Sequence, residues 1–174
     1  TFDFKYQKGY LIEIMARLFP TVNSKEELQK IGSYKEVLYR KLYHPNVKAI
    51  DGLIPFLKQL SKKGIPMGLA TMSGQDNIDF IFESLQLHSY FHSTTGGHEI
   101  LKGKPHPDIF LTAARKLGVT PTDCLVFEDT HSGIESAKAA GMEVVGVSTM
   151  FDRKTLLKFG CIEVIQTYNE LGIN

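Results

Sequence analysis

The stretch CLVFEDTHSGIESAKAAGMEVVGV, residues 124–147, decides the fold class. Leu125, Val126 and Phe127 make a short apolar run that stops at two adjacent acids, Glu128 and Asp129. HSGIESAKAAG then reads as a helix closed by Gly141, and MEVVGVS as a second strand. A strand, a helix and a strand in succession form a βαβ unit, whose two strands run parallel.

The same alternation extends outward. DGLIPFLKQLSKKG (51–64) reads as a helix ending at Gly64, and IPMGLAT (65–71) as a buried strand that ends in polar residues. Ile78, Ile81, Phe82 and Leu85 keep helical spacing over 74–86, and YFHSTTG offers a short strand. PHPDIFLTAARKLG (105–118) is a helix with proline at its start and Gly118 past its end. IEVIQ (162–166) gives a final strand before a turn around YNELGIN. Residues 9–43 differ, being helical and polar-faced. Ile12, Met15, Ala16 and Phe19 share a face until Pro20, and Asn23 or Ser24 caps SKEELQKI. A third helix is expected over SYKEVLYRKLY, where Tyr34, Val37, Leu38 and Leu42 share a face and His44-Pro45 ends it. The pattern predicts an α/β protein with a parallel sheet. Residues 1–46 form a helical segment and 47–174 the sheet-bearing unit.

Composition agrees with one globular unit of 174 residues. Hydrophobic residues are 43% and charged residues 22%, which excludes disordered, collagen-like and coiled-coil chains. Twenty basic and nineteen acidic residues are spread evenly, with no electrostatic footprint for nucleic acid or an anionic membrane. The oligomeric state is not readable. Cys124 and Cys161 cannot build a disulfide framework and read as free thiols of a reducing compartment. No apolar run approaches the length of a membrane span. The expected location is the cytoplasm.

In parallel sheets, ligands sit at the carboxyl ends of strands. Three features stand there. Thr71-Met72-Ser73-Gly74 places a hydroxyl and then backbone amides at a helix start, which suits a phosphate oxygen or a plain helix cap. Lys102-Gly103-Lys104-Pro105-His106-Pro107-Asp108 fixes a lysine beside two prolines, and a positioned ammonium neutralises a phosphoryl group or a carboxylate. His106 reads as solvent-facing or capping. Glu128 and Asp129 are hard oxygen donors of the kind Mg²⁺ takes, although one acid or Thr130 could simply cap the next helix. His131 reads as peripheral.

The ordered series DGLIPFLKQLSKKGIPMGLATMSG, GKPHPDIFLTAARKLGV and CLVFEDTHSGIESAKAAGMEVVGV resembles the haloacid dehalogenase-like hydrolases over about residues 45–170. The nearest branch is that of β-phosphoglucomutase and phosphoglycolate phosphatase. The resemblance implies a Rossmann-like three-layer parallel sheet with a partial helical cap, and phosphoryl transfer through an aspartyl-phosphate with Mg²⁺. It implies that Thr71 holds the phosphoryl group with Ser73 as an accessory contact. Lys104 balances charge between nucleophile and phosphate, and Glu128 and Asp129 hold the metal.

The family's first motif, Asp-x-Asp-Gly, is not found. The nearest text is Phe2-Asp3-Phe4-Lys5-Tyr6, where Lys5 stands in place of the second Asp. The expectation is therefore an upstream segment carrying that motif and the first cap helices. Its strand would lie between the strands ending at Thr71 and Asp129, and the 174 residues alone would have little or no phosphatase activity. The expected function is a phosphatase acting on a small phosphorylated metabolite, with a sugar phosphate as the favoured substrate. A phosphomutase and a non-catalytic phosphate- or partner-binding relative are the alternatives. Gly74-Gln75, where a mutase often carries Lys-Asn, tilts toward the phosphatase. A receiver-type signalling domain has the acid pair before the hydroxyl and the lysine last, the wrong order for this chain.

Overall fold

The computed structural model describes residues 10–172. The stretch around Asp3 lies outside them. The chain is an α/β fold with two parallel sheet segments and helices on both faces.

Two helices come first. Helix α1 (Leu11–Leu18) buries Met15 against α2 (Lys25–Tyr43). Ser24 caps α2 by accepting from the Glu27 amide at 3.3 Å. The two helices expected over residues 24–43 are one. Gly32 does not break it, because a Cβ there would come within 3.1 Å of Leu11, so the glycine lets α1 approach closely. Tyr34, Val37, Leu38 and Leu42 are exposed instead of facing a core. A short turn at His44–Asn46 ends this segment at the expected proline.

The remainder alternates. Helix α3 (Leu53–Lys62) leads to strand β1 (Gly68–Ala70), followed by α4 (Gln75–Leu85) and β2 (Ser93–Thr95). Helix α5 (Asp108–Leu117) then precedes β3 (Leu125–Glu128), α6 (His131–Ala139) and β4 (Glu143–Val147). Helix α7 (Arg153–Phe159) and β5 (Glu163–Ile165) complete the order. Helix α7 went unread in the sequence. Its signals were Asp152, which accepts from the Thr155 amide at 2.7 Å, and Gly160 at φ +97°, a conformation that favours glycine.

Strand β1 pairs with β2, and β3, β4 and β5 pair in that order, all in parallel. Among the described residues, no strand bridges β1 and β3, and Leu125 on β3 is 49% exposed. Along β4, Val144 packs with Ile109, Ile134, Ala137 and Leu156. Its neighbour Val145 packs on the opposite face with Ile165, Phe127 and Tyr168. A strand buried on both faces is the mark of a three-layer arrangement. Each fully buried aliphatic side chain such as Leu156 contributes roughly 1.5–3 kcal/mol.

Candidate active site

Strand β1 delivers Thr71 at its carboxyl end. The Thr71 amide donates to the Thr95 carbonyl at 2.9 Å, and its hydroxyl accepts from the Ser73 amide at 3.2 Å. This local turn rules out the capping alternative for Thr71, since the N-cap of α4 is Gly74, which has no capping side chain. The leading amides of α4 therefore follow an uncapped turn, a polarity that favours an anion. The turn packs closely on Gly97. A Cβ on Gly97 would lie 2.8 Å from the Met72 carbonyl oxygen.

The Met72 side chain ties this turn to the lysine segment, because a Cβ on Gly103 would lie 2.9 Å from its methyl. Lys104 precedes a cis bond to Pro105. Its ammonium stands 3.2 Å from Glu128 Oε1 and 4.8 Å from the centroid of the Phe110 ring. The His106 carbonyl accepts from the buried Ser136 hydroxyl at 2.6 Å, which fastens the segment to α6. The His106 imidazole is partly exposed beside Asp108, and His131 lies on the first turn of α6 against Phe159. Neither contacts the Lys104–Glu128 pair.

Strand β3 ends in the acid pair. Glu128 accepts from the Thr130 hydroxyl at 2.6 Å as well as from Lys104. Thr130 in turn accepts from the Gly133 amide at 3.1 Å and is the N-cap of α6. One threonine thus performs the capping, and both acids are left for other work. Gly133 is required here, since a Cβ would sit 1.5 Å from Glu128 Oε1. Asp129 turns the other way and accepts from the Thr149 hydroxyl at 2.6 Å.

Among the described residues, no three His, Cys, Asp or Glu side chains cluster as a metal site. Glu128 and Asp129 are hard oxygen donors by chemistry, the type of ligand Mg²⁺ takes one or two of, with water and substrate phosphate completing the shell.

A family model described as haloacid dehalogenase-like hydrolase matches residues 6–147. The chain belongs to this family. A haloacid dehalogenase-family hydrolase structure from Entamoeba histolytica is 35% identical, with a TM-score of 0.87 over 98% of this chain and 78% of that one. A probable pseudouridine-5'-phosphatase of Drosophila melanogaster is 42% identical over 108 residues, 59% of this chain and 47% of the relative. The β-phosphoglucomutase of Bacillus subtilis is 43% identical over 98 residues, 56% of this chain and 42% of the enzyme. The matches span about a third to a half of the length of most of the first curated relatives, and 73% of a phosphorylated carbohydrates phosphatase of Thermotoga maritima.

Membership of the haloacid dehalogenase-like hydrolases agrees with the order of the three segments. The structure brings Lys104 to Glu128 directly and joins the Thr71 turn to them through Met72 and Gly103. Ser73 contributes its amide to that turn. Sequence reasoning missed Thr149 and Tyr168. Burial and the nearby Asp129 carboxylate push the Tyr168 phenol up to about 12, and its ring joins Phe56 and Phe127 in a cluster of three mutually contacting rings. Neither residue has a sequence signal, because the β4 and β5 ends reach Asp129 only through the sheet. Burial pushes the Cys124 and Cys161 thiols up, so neither is a low-pKa nucleophile. No helix among the described residues is long and apolar enough to cross a membrane.

Proposed function

We propose that the protein containing this chain is a Mg²⁺-dependent phosphatase of small phosphorylated metabolites, with a sugar phosphate as the favoured substrate. The observation that carries this reading is the junction of Lys104 with Glu128 beside the Thr71 turn. An ammonium and a diacid next to an amide-rich turn match the charge pattern of a phosphoryl group with a divalent cation.

Thr71 and the amides of its turn hold phosphoryl oxygens, and Ser73 adds a contact from the same turn. Lys104 neutralises charge between the attacking carboxylate and the phosphate. Glu128 and Asp129 would hold Mg²⁺. When bound, the cation screens repulsion between carboxylate and phosphate and polarises the phosphoryl oxygens. The attacking carboxylate comes from a strand seated between β1 and β3, outside the 174 residues. It bonds to phosphorus as the ester oxygen leaves, and the leaving oxygen takes a proton from a second acid. Water then attacks phosphorus, freeing phosphate and restoring the carboxylate. Helices α1 and α2 are part of a cap that closes over the substrate and excludes water.

The second reading is a phosphomutase, in which a sugar hydroxyl replaces water. The resemblance to β-phosphoglucomutase favours it, and Gly74-Gln75 weighs against it. A panel of phosphorylated metabolites, run on the protein with its upstream segment, tests both. Release of inorganic phosphate supports the phosphatase, and isomerisation of a sugar phosphate supports the mutase. Binding without turnover on every compound contradicts both and leaves a non-catalytic phosphate-binding relative.

A further inference from the structure

The side-chain amide of Asn77 is gripped at both ends by one helix. Its nitrogen donates to Glu36 Oε2 at 2.6 Å, and its oxygen accepts from Arg40 Nη1 at 2.8 Å. Glu36 and Arg40 are four residues apart on α2 and so share a face. The amide's orientation is dictated by charge. Its donor end must meet the carboxylate and its acceptor end the guanidinium, because neither charged group can play the opposite part. Arg40 also reaches Asp76 at 3.3 Å, but Asp76 is exposed, and such an ion pair adds little. The Tyr39 and His44 rings lie against Phe80, one turn further along α4.

Asn77 is the third residue of α4, and the Thr71–Gly74 turn leads directly into that helix. The gripped amide therefore fastens α2 to the first turn of α4, directly after that loop. A second link joins the helical segment to the sheet-bearing unit, where the Tyr10 hydroxyl donates to the Ile100 carbonyl at 3.0 Å.

We propose that Glu36, Arg40 and Asn77 form a clamp that seats α2 on the first turn of α4, making Glu36 and Arg40 positioning residues for the phosphate-binding turn. This rests on reading 71–74 as that turn. Coupling of this kind is reciprocal: an anion on the turn favours the seated helix, and the seated helix favours the anion.

Two readouts separate the clamp from the site. In ¹⁵N spectra, the Asn77 side-chain amide pair is assigned by its loss in Asn77→Leu. It moves in both Glu36→Ala and Arg40→Met while the remaining dispersion stays native. A resonance unmoved by either change overturns the clamp. Calorimetry with inorganic phosphate and Mg²⁺, on the protein and its variants with the upstream segment in place, reads the positioning role. Affinity falls about fivefold in Arg40→Met, with partial rescue in Arg40→Lys, at an unchanged melting temperature. Equal phosphate affinity in the wild-type and Arg40→Met chains overturns the positioning role. A wild-type chain that binds no phosphate removes the reading of 71–74 and with it the positioning role, while the amide resonance still decides the clamp.

Discussion

The Lys104 ammonium stands 3.2 Å from the Glu128 carboxylate, and only 11% and 13% of the two side chains are exposed. One comes from the loop ahead of α5, the other from the tip of β3. Two nearly buried charges are retained only when each compensates the other. In the proposed site, both charges also serve the incoming phosphate and cation.

Lys104→Met keeps an unbranched apolar side chain and removes the ammonium that pairs with Glu128 and lies over the Phe110 ring. Glu128 then keeps Thr130 as a donor but loses its counter-ion. The expected cost is about 2 kcal/mol in urea unfolding. An unchanged midpoint would mean that the ion pair contributes nothing to the fold.

Gly133→Ala puts a methyl where the Glu128 carboxylate lies. The acid must leave its place beside Lys104 and Thr130. Overpacking of this kind costs about 1–3 kcal/mol. A crystal structure of the variant with Glu128 undisturbed would contradict the account of this glycine.

Thr149→Val removes the hydroxyl that orients Asp129. Groups that orient a metal ligand typically influence affinity about 10- to 100-fold. The expectation is Mg²⁺ binding weakened about tenfold in Thr149→Val and further in Asp129→Asn, as read by calorimetry. Unchanged affinity in Asp129→Asn removes it as a ligand.

Tyr168 supplies a pH test. Its phenol is neutral in the fold until about pH 12, against 10.0 for an ordinary tyrosine. A raised folded value means that the contribution is complete below pH 10 and is lost as the pH rises through 12. Alkaline unfolding should therefore begin later in Tyr168→Phe than in the wild type, with the phenolate band near pH 12 missing from the variant. Identical alkaline titrations of the two proteins would contradict the burial argument.

The alternating strands and helices were legible because local signals mark them. Pro20, Gly64, Pro105, Gly118 and Gly141 punctuate the chain, and apolar spacing fills the intervals. The rule that parallel strands present ligands at their carboxyl ends is what singles out the segments of Thr71, Lys104 and Glu128 in the sequence, and the structure brings Lys104 to Glu128. The continuous α2 was misread because Gly32 looks like a break in sequence and is a packing notch in space. Thr149, Tyr168 and the Asn77 clamp were invisible, since each meets its partners across a long sequence separation. The sheet pairing leaves β1 and β3 unpaired with each other, the interval in which the resemblance puts the first-motif strand.

The central claim is that the Thr71, Lys104 and Glu128–Asp129 tips form a phosphoryl-transfer site whose attacking carboxylate arrives on a strand between β1 and β3. Its most direct test is turnover of p-nitrophenyl phosphate with Mg²⁺ by residues 1–174 alone and by the protein carrying an upstream Asp-x-Asp-Gly strand. The account predicts turnover in the longer protein and essentially none in the shorter one. Comparable turnover by the 174 residues alone, or none by the longer protein, would contradict it.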